Sequence, residues 1–223
     1  MCPRSRMKTA STGARERIVT NVVGCILAGG LARRMGGGDK GLIELAGRPV
    51  LDHVIDRFGA QVGTVILNAN GDPGRFAGYG LPVMPDTVEG FAGPLAGVLA
   101  GLSWAAENAP DAEWVATAAT DTPFCPTDFV SRLLAATEDQ DADMACAASD
   151  GRNHPVFGLW PVRLKDDLHS ALVDEDIRKV DLWTARHKLV AVEFAASGFD
   201  PFFNVNRPDD VPEAERIAKG LAA

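Results

Sequence analysis

Apolar positions along the chain fall into short blocks that switch between strand and helix spacing. Val22-Val23-Gly24-Cys25-Ile26-Leu27 is a continuous apolar run with the length and β-branched content of a buried strand. After the turn Gly47-Arg48-Pro49, residues Val50, Leu51, Val54, Ile55 and Phe58 recur at helical spacing. Residues 64–68 read as a second strand. Leu81-Pro82-Val83-Met84 reads as a short third one, its proline placing it at a sheet edge or a strand start. Pro94 opens a helix carrying Leu95, Val98, Leu99 and Leu102 on one face, proline being well suited to a first turn. Residues 114–120 form a strand, 126–137 a helix and 144–148 a further strand. Such alternation predicts a three-layer α/β/α, Rossmann-like fold with a mostly parallel sheet. A single domain over 21–223 is expected, after a disordered basic tail over 1–20.

In open α/β sheets ligands sit beyond the carboxyl ends of the strands. The first strand runs into Gly29-Gly30, then Arg33-Arg34, Gly36-Gly37-Gly38 and Asp39-Lys40. Glycines let backbone N–H groups approach a ligand, and with Arg and Lys beside them they make a nest for phosphates. The loop is not a Walker A sequence, because Asp39 precedes Lys40 and Gly41 follows it, with no hydroxyl for a metal. Gly36-x-Gly38-x-x-Gly41 matches the dinucleotide fingerprint only formally, since it does not directly follow the strand and Leu42-Ile43-Glu44-Leu45 looks extended. The second strand ends in Asn68-Ala69-Asn70, the third in Pro85-Asp86 and the fourth in Asp121-Thr122-Pro123. A parallel sheet gathers all four at one rim.

Asp121 can anchor Mg²⁺, which takes one or two carboxylates plus substrate phosphates and waters. It can also serve as a turn or cap residue ahead of Asp128. Asp86 and Asn68 likewise read either as ligand contacts or as ordinary turn residues. Near the C-terminus, alternation puts Asn204 and Asn206 on one face of a strand with Val205 in the core. A helix opened by Pro208 follows, with Asp209 and Asp210 as first-turn capping residues.

Net charge changes the picture of the partner. A formal charge of −8 argues against a nucleic-acid surface and for local capture of an anionic ligand. The four cysteines show no metal-ligand spacing and suit a reducing cytoplasm. No run of 18 apolar residues exists, so no membrane span is expected. Residues 1–20 carry Arg4, Arg6, Lys8, Arg15 and Arg17 without the apolar block of a signal peptide. They read as a tail with Met7 an alternative start, or as a transit peptide.

Leu27-Ala28-Gly29-Gly30, Arg34-Met35-Gly36 and Asp39-Lys40 together resemble the L-A-G-G-x-x-x-R-M-G-x-x-D-K signature of the molybdenum cofactor guanylyltransferases, the MobA family. The resemblance extends over about residues 22–210. It implies a nucleotidyltransferase fold and transfer of GMP from GTP to molybdopterin, normally carrying molybdenum, with release of pyrophosphate. By the same resemblance Leu27, Ala28, Gly29, Gly30, Gly36, Lys40 and Asn68 line the nucleotide. Arg34 and Lys40 hold its triphosphate, and Asp121 in D-T-P holds Mg²⁺. Asp86 matches the D-x-x-x-x-x-x-G-P-L-A-G segment that helps hold the nucleotide, and an acceptor carboxylate suits the N1–H and amine donors of guanine. Arg152-Asn153-His154-Pro155-Val156-Phe157-Gly158-Leu159-Trp160 resembles the stretch lining the pterin pocket; His154 is assigned no metal. Arg178-Lys179 resembles a basic pair near the pterin phosphate, and equally a solvated helix face. Asn204 and Asn206 resemble asparagines facing the active site, the second near the metal. Arg34, Lys40 and Asp121 are thus the expected catalytic residues. Partner proteins that deliver molybdopterin or receive the product are expected; nucleic acid and membrane are not. A cytidylyl-transferring relative, a sugar-phosphate nucleotidyltransferase, and a nucleotide sensor or carrier without turnover are the alternatives.

Overall fold

The computed structural model describes residues 18–29, 40–88 and 93–221. In chain order its elements are β1 (Val19–Leu27), β2 (Glu44–Leu45), β3 (Arg48–Pro49), α1 (Val50–Phe58), β4 (Val62–Asn68) and β5 (Val83–Met84). Then come α2 (Pro94–Asn108), β6 (Trp114–Ala119), α3 (Phe129–Gln140), β7 (Met144–Ser149) and β8 (Arg152–Pro161). The chain closes with α4 (Lys165–Val173), α5 (Val180–Thr184), β9 (Leu189–Glu193) and α6 (Val211–Leu221).

Seven strands form one sheet in the order β5-β4-β1-β6-β8-β7-β9. Neighbours pair in parallel except around β8, which runs antiparallel to both β6 and β7. The expected mostly parallel sheet is therefore present, and β5 takes the edge its proline predicted. The apolar run of β1 alternates between two cores, as strand geometry requires. Val22 and Ile26 face Val54, Phe58, Phe129 and Leu133 on the α1/α3 side. Val23 and Cys25 face Leu95, Val98, Leu99, Leu102 and Trp183 on the α2/α5 side. Gly24 is required between them, because a Cβ there would meet Val62 Cγ2 at 2.8 Å. A smaller cluster of Leu45, Val50, Phe124, Val205, Ala214 and Ile217 fastens α6 and the segment before it over the β2/β3 hairpin.

Several elements depart from expectation. β1 begins at Val19, inside the expected tail, and residues 1–17 lie outside the described part. β8 and β9 were not expected as strands. Residues 203–206 form no strand. Val205 N–H bonds instead to the carbonyl of Asp121 at 2.8 Å, so this segment is docked on the turn after β6 rather than on a sheet edge. The predicted burial alternation survives, with Val205 buried and Asn204 exposed. Asp128 occupies the N-cap position of α3 without a side-chain capping bond. No helix among the described residues is long and apolar enough to cross a membrane.

Candidate active site

The carboxyl ends of β1, β4, β5 and β6 meet at one rim, and the polar residues that follow them line a cavity of about 320 Å³. Of the glycine-rich loop, Leu27, Ala28, Gly29 and Lys40 are described; Gly30, Arg34 and Gly36 lie outside the described residues. Ala28 N–H bonds to the Asn68 carbonyl at 2.7 Å, which seats the loop's entrance between its neighbours. At the other end, Lys40 opens a single helical turn, Lys40–Leu42. Gly41 is buried there in close contact with its neighbours: an added Cβ would lie 3.2 Å from Thr120 Cβ and 3.3 Å from Leu51 Cβ. This close approach puts the Lys40 ammonium 3.1 Å from Asp121 Oδ2. The same ammonium donates to Asn206 Oδ1. Three expected residues, 81 and 166 positions apart from Lys40, are thus brought together.

On the far side of the cavity Asp86 is held by two asparagines. Asn68 Nδ2 donates to one carboxylate oxygen at 2.9 Å and Asn70 Nδ2 to the other at 2.7 Å. Asn70 Oδ1 also receives the Asp86 N–H at 2.8 Å. The carboxylate is fixed in orientation yet keeps free lone pairs, since each oxygen accepts more than one hydrogen bond. Asn68 is itself buried and braced by a bond to the Met84 carbonyl at 3.2 Å. Gly97 of α2 gives its amide oxygen room, because a Cβ at that position would press on Asn68 Oδ1 and stand 2.8 Å from Leu27 Cδ2. Cys25 lies beneath this wall, its thiol pushed up to about 12, first by burial and then by the Asp86 charge. It is packing, not chemistry.

A second cavity of about 280 Å³ lies beside the first, lined by Arg152, Asn153, His154 and Pro155 with Asn204 and Asn206. Ala119, Asp121 and Val156 line both. Asp121 therefore stands where the two spaces meet. Asn204 Oδ1 accepts from Thr122 Oγ1 at 2.5 Å. Asp210 Oδ2 accepts from the N–H groups of Asn206 and Arg207 at 2.8 and 2.7 Å, capping the following turn and fixing Asn206. Arg178 bonds to Asp176 through Nε and Nη2, both at 2.6 Å, and neither Arg178 nor Lys179 lines either cavity. Sequence reasoning assigned no role to Asn70, Gly97 or Thr122. Each carried a signal: Asn70 as the second amide of a strand-end Asn-x-Asn, Gly97 as the last glycine of G-P-L-A-G and Thr122 as the middle of D-T-P.

Residues 24–189 match the family model described as the MobA-like NTP transferase domain. A protein of Rhodopseudomonas palustris (strain BisB5) named molybdenum cofactor guanylyltransferase is 62% identical over 193 residues, 86% of this chain and 92% of that one. One of Bradyrhizobium sp. (strain ORS 278) with the same name is 58% identical over 199 residues, 89% and 94% of the two chains. Among solved structures, molybdopterin-guanine dinucleotide biosynthesis protein A from Archaeoglobus fulgidus superposes with a TM-score of 0.67 at 23% identity. It covers 89% of this chain and 99% of that chain, a likeness of fold.

Proposed function

We propose that this chain, which belongs to the MobA-like NTP transferase family, transfers GMP from GTP to the terminal phosphate of molybdopterin and releases pyrophosphate. The observation that carries the reading is the pair of cavities that share the Asp121 carboxylate, with Lys40 and Asn206 beside it. Two substrates seated in them would meet at one point, as a transfer between phosphates requires. The names of the 62% and 58% identical relatives support guanine as the base and molybdopterin as the acceptor.

The reaction is attack of a phosphate oxygen on the α-phosphorus, with pyrophosphate leaving. That oxygen is already ionised at neutral pH, so no general base is called for, and catalysis rests on positioning and charge neutralisation. In this reading guanine lies in the larger cavity, its N1–H and amine donating to Asp86, which Asn68 and Asn70 hold ready. Lys40 and Arg34 neutralise the triphosphate, with the glycine-rich loop amides beside them. The residues around Asp121 fit a magnesium ion. One carboxylate and the Asn206 amide oxygen already converge on a cation, the Lys40 ammonium, and Mg²⁺ needs only one or two carboxylates besides phosphates and waters. Bound there, the ion would neutralise charge on the reacting phosphate oxygens. Lys40 would then turn from Asp121 to the phosphates.

The test is pyrophosphate release from each nucleoside triphosphate, with and without molybdate-loaded molybdopterin, in Mg²⁺ and in excess chelator. The reading expects release only with GTP, acceptor and metal together. Preference for CTP, or release on adding a hexose 1-phosphate but not molybdopterin, would overturn it. GTP binding without turnover would leave a sensor or carrier.

A further inference from the structure

His154, which lines the second cavity, belongs to a hydrogen-bonded chain that fixes the proton of its imidazole. We propose that His154, locked as its Nε2–H tautomer by Ser149 and Asp200, presents Nδ1 as an acceptor to an N–H donor on the heterocycle of the acceptor substrate. The proposal rests on the reading that this cavity takes the acceptor.

The tautomer follows from counting protons. Asp200 Oδ1 lies 2.9 Å from Ser149 Oγ and also receives the Phe202 N–H at 2.9 Å. An ionised carboxylate only accepts, and a hydroxyl has one proton to give, so Ser149 spends its proton on Asp200. His154 Nε2 lies 2.7 Å from the same Oγ, which can now only accept. Nε2 must therefore carry the hydrogen, and in the neutral ring Nδ1 is then the acceptor. Burial is the largest influence on the imidazole and holds its pKa below the ordinary value, with Arg152 also lowering it and Asp200 and Glu193 opposing, which favours the neutral ring. Among the described residues nothing hydrogen-bonds to Nδ1.

His154 is the last paired residue before an irregularity in the β7–β8 ladder that borders the cavity. Consecutive β7 residues Cys146 and Ala147 pair with Gly158 and His154 of β8, so Pro155, Val156 and Phe157 bow out of the ladder. Such irregularities re-aim side chains next to sites. All three bowed residues line the second cavity with His154. The ring is also stacked on Phe202, with centroids 4.6 Å apart and planes at 32°. A ring fixed in plane, tautomer and position discriminates, because a ligand lacking the matching donor leaves a half-buried acceptor unpaired. A fused heterocycle bearing an N–H or amine answers that chemistry. His154 contacts substrate in this account, and Ser149 and Asp200 are positioning residues.

Two measurements test it. In the wild-type full chain, long-range ¹H–¹⁵N spectra of the histidine rings should show His154 as the Nε2–H tautomer at pH 7, and Ser149→Ala should abolish that single-tautomer signature. Steady-state pyrophosphate release should show His154→Phe, which keeps the ring stack but has no acceptor, raising KM for molybdopterin about tenfold, the worth of one hydrogen bond, with KM for GTP unchanged. His154→Asn, with an amide oxygen near the Nδ1 position, should recover part of the loss. An Nδ1–H tautomer in the wild type overturns the proposal even where the variants fail to fold. So does an unaltered molybdopterin KM in a folded His154→Phe variant. Failure of the functional reading looks different: the wild type itself releases no pyrophosphate with molybdopterin.

Discussion

Gly97→Ala offers a direct probe of the nucleotide wall, because it adds one methyl group at a point where the structure leaves no space. The new Cβ would press on Asn68 Oδ1, approach Asn68 Cγ to 3.1 Å and Leu27 Cδ2 to 2.8 Å. Asn68 is the side chain that can give way, by rotating and surrendering its bonds to Asp86 and to the Met84 carbonyl. Two hydrogen bonds at about 0.5–1.5 kcal/mol each put the cost at about 1–3 kcal/mol. Alanine is favoured over glycine inside a helix by roughly 0.5–1 kcal/mol, which offsets part of the loss in global stability. The offset does not reach the site, since ligand binding must restore the Asn68–Asp86 pair. Affinity for Mg-GTP should therefore fall by about fivefold to about a hundredfold, at about 1.4 kcal/mol per factor of ten. Isothermal titration of the variant with Mg-GTP, paired with urea denaturation, reads both quantities. Gly59→Ala is the control. Its Cβ would meet Val65 Cγ2 at 3.2 Å, among residues that line neither cavity, and it should change stability without changing affinity. An unchanged dissociation constant in folded Gly97→Ala would refute the claim that Asn68 and Asp86 form the nucleotide wall.

Other expectations follow from the same geometry. Lys40→Ala and Asp121→Asn should each lower turnover by about a hundredfold or more, the usual loss on removing one electrostatic contact to a transition state, with thermal unfolding little altered; wild-type rates in either purified variant would remove these residues from the mechanism. Asp210→Ala should cost about 1 kcal/mol through the lost cap and should raise KM for the acceptor by freeing Asn206, read by chemical denaturation and steady-state kinetics. Burial raises the thiols of Cys25 to about 12 and of Cys146 to about 11 and raises that of Cys125 as well. None of the three should react with a disulfide reagent in native protein at pH 8, whereas all four cysteines of the chain should react in guanidinium. Native-state labelling of Cys25 would show that the core beneath Asp86 opens.

Much of the first cavity's rim was legible because each strand announced its own end. An apolar run breaking into Gly29, Asn68, Asp86 or Asp121 marks a carboxyl terminus, and a parallel sheet sends all such ends to one rim. The second cavity had no such signal. β8 carries Pro155 and Gly158 within an irregular ladder, so neither period is visible in its sequence. Asn204 and Asn206 alternated like strand residues because Val205 has to be buried, but burial against the β6 turn imposes the same pattern as burial in a sheet. The link between Ser149 and Asp200 spans 51 positions, and neither residue sits in a motif that names its partner. Long-range pairing of single polar residues is settled by packing, which one sequence does not display.

The tripeptide Asn204-Val205-Asn206 has a consequence for how the rim comes apart. Its members fasten Thr122, the Asp121 carbonyl and Lys40 respectively, so three separate parts of the rim are tied by one short segment that belongs to no strand. Fraying of that segment releases all three ties together, while the strand pairing of the sheet, which includes none of its residues, is left in place.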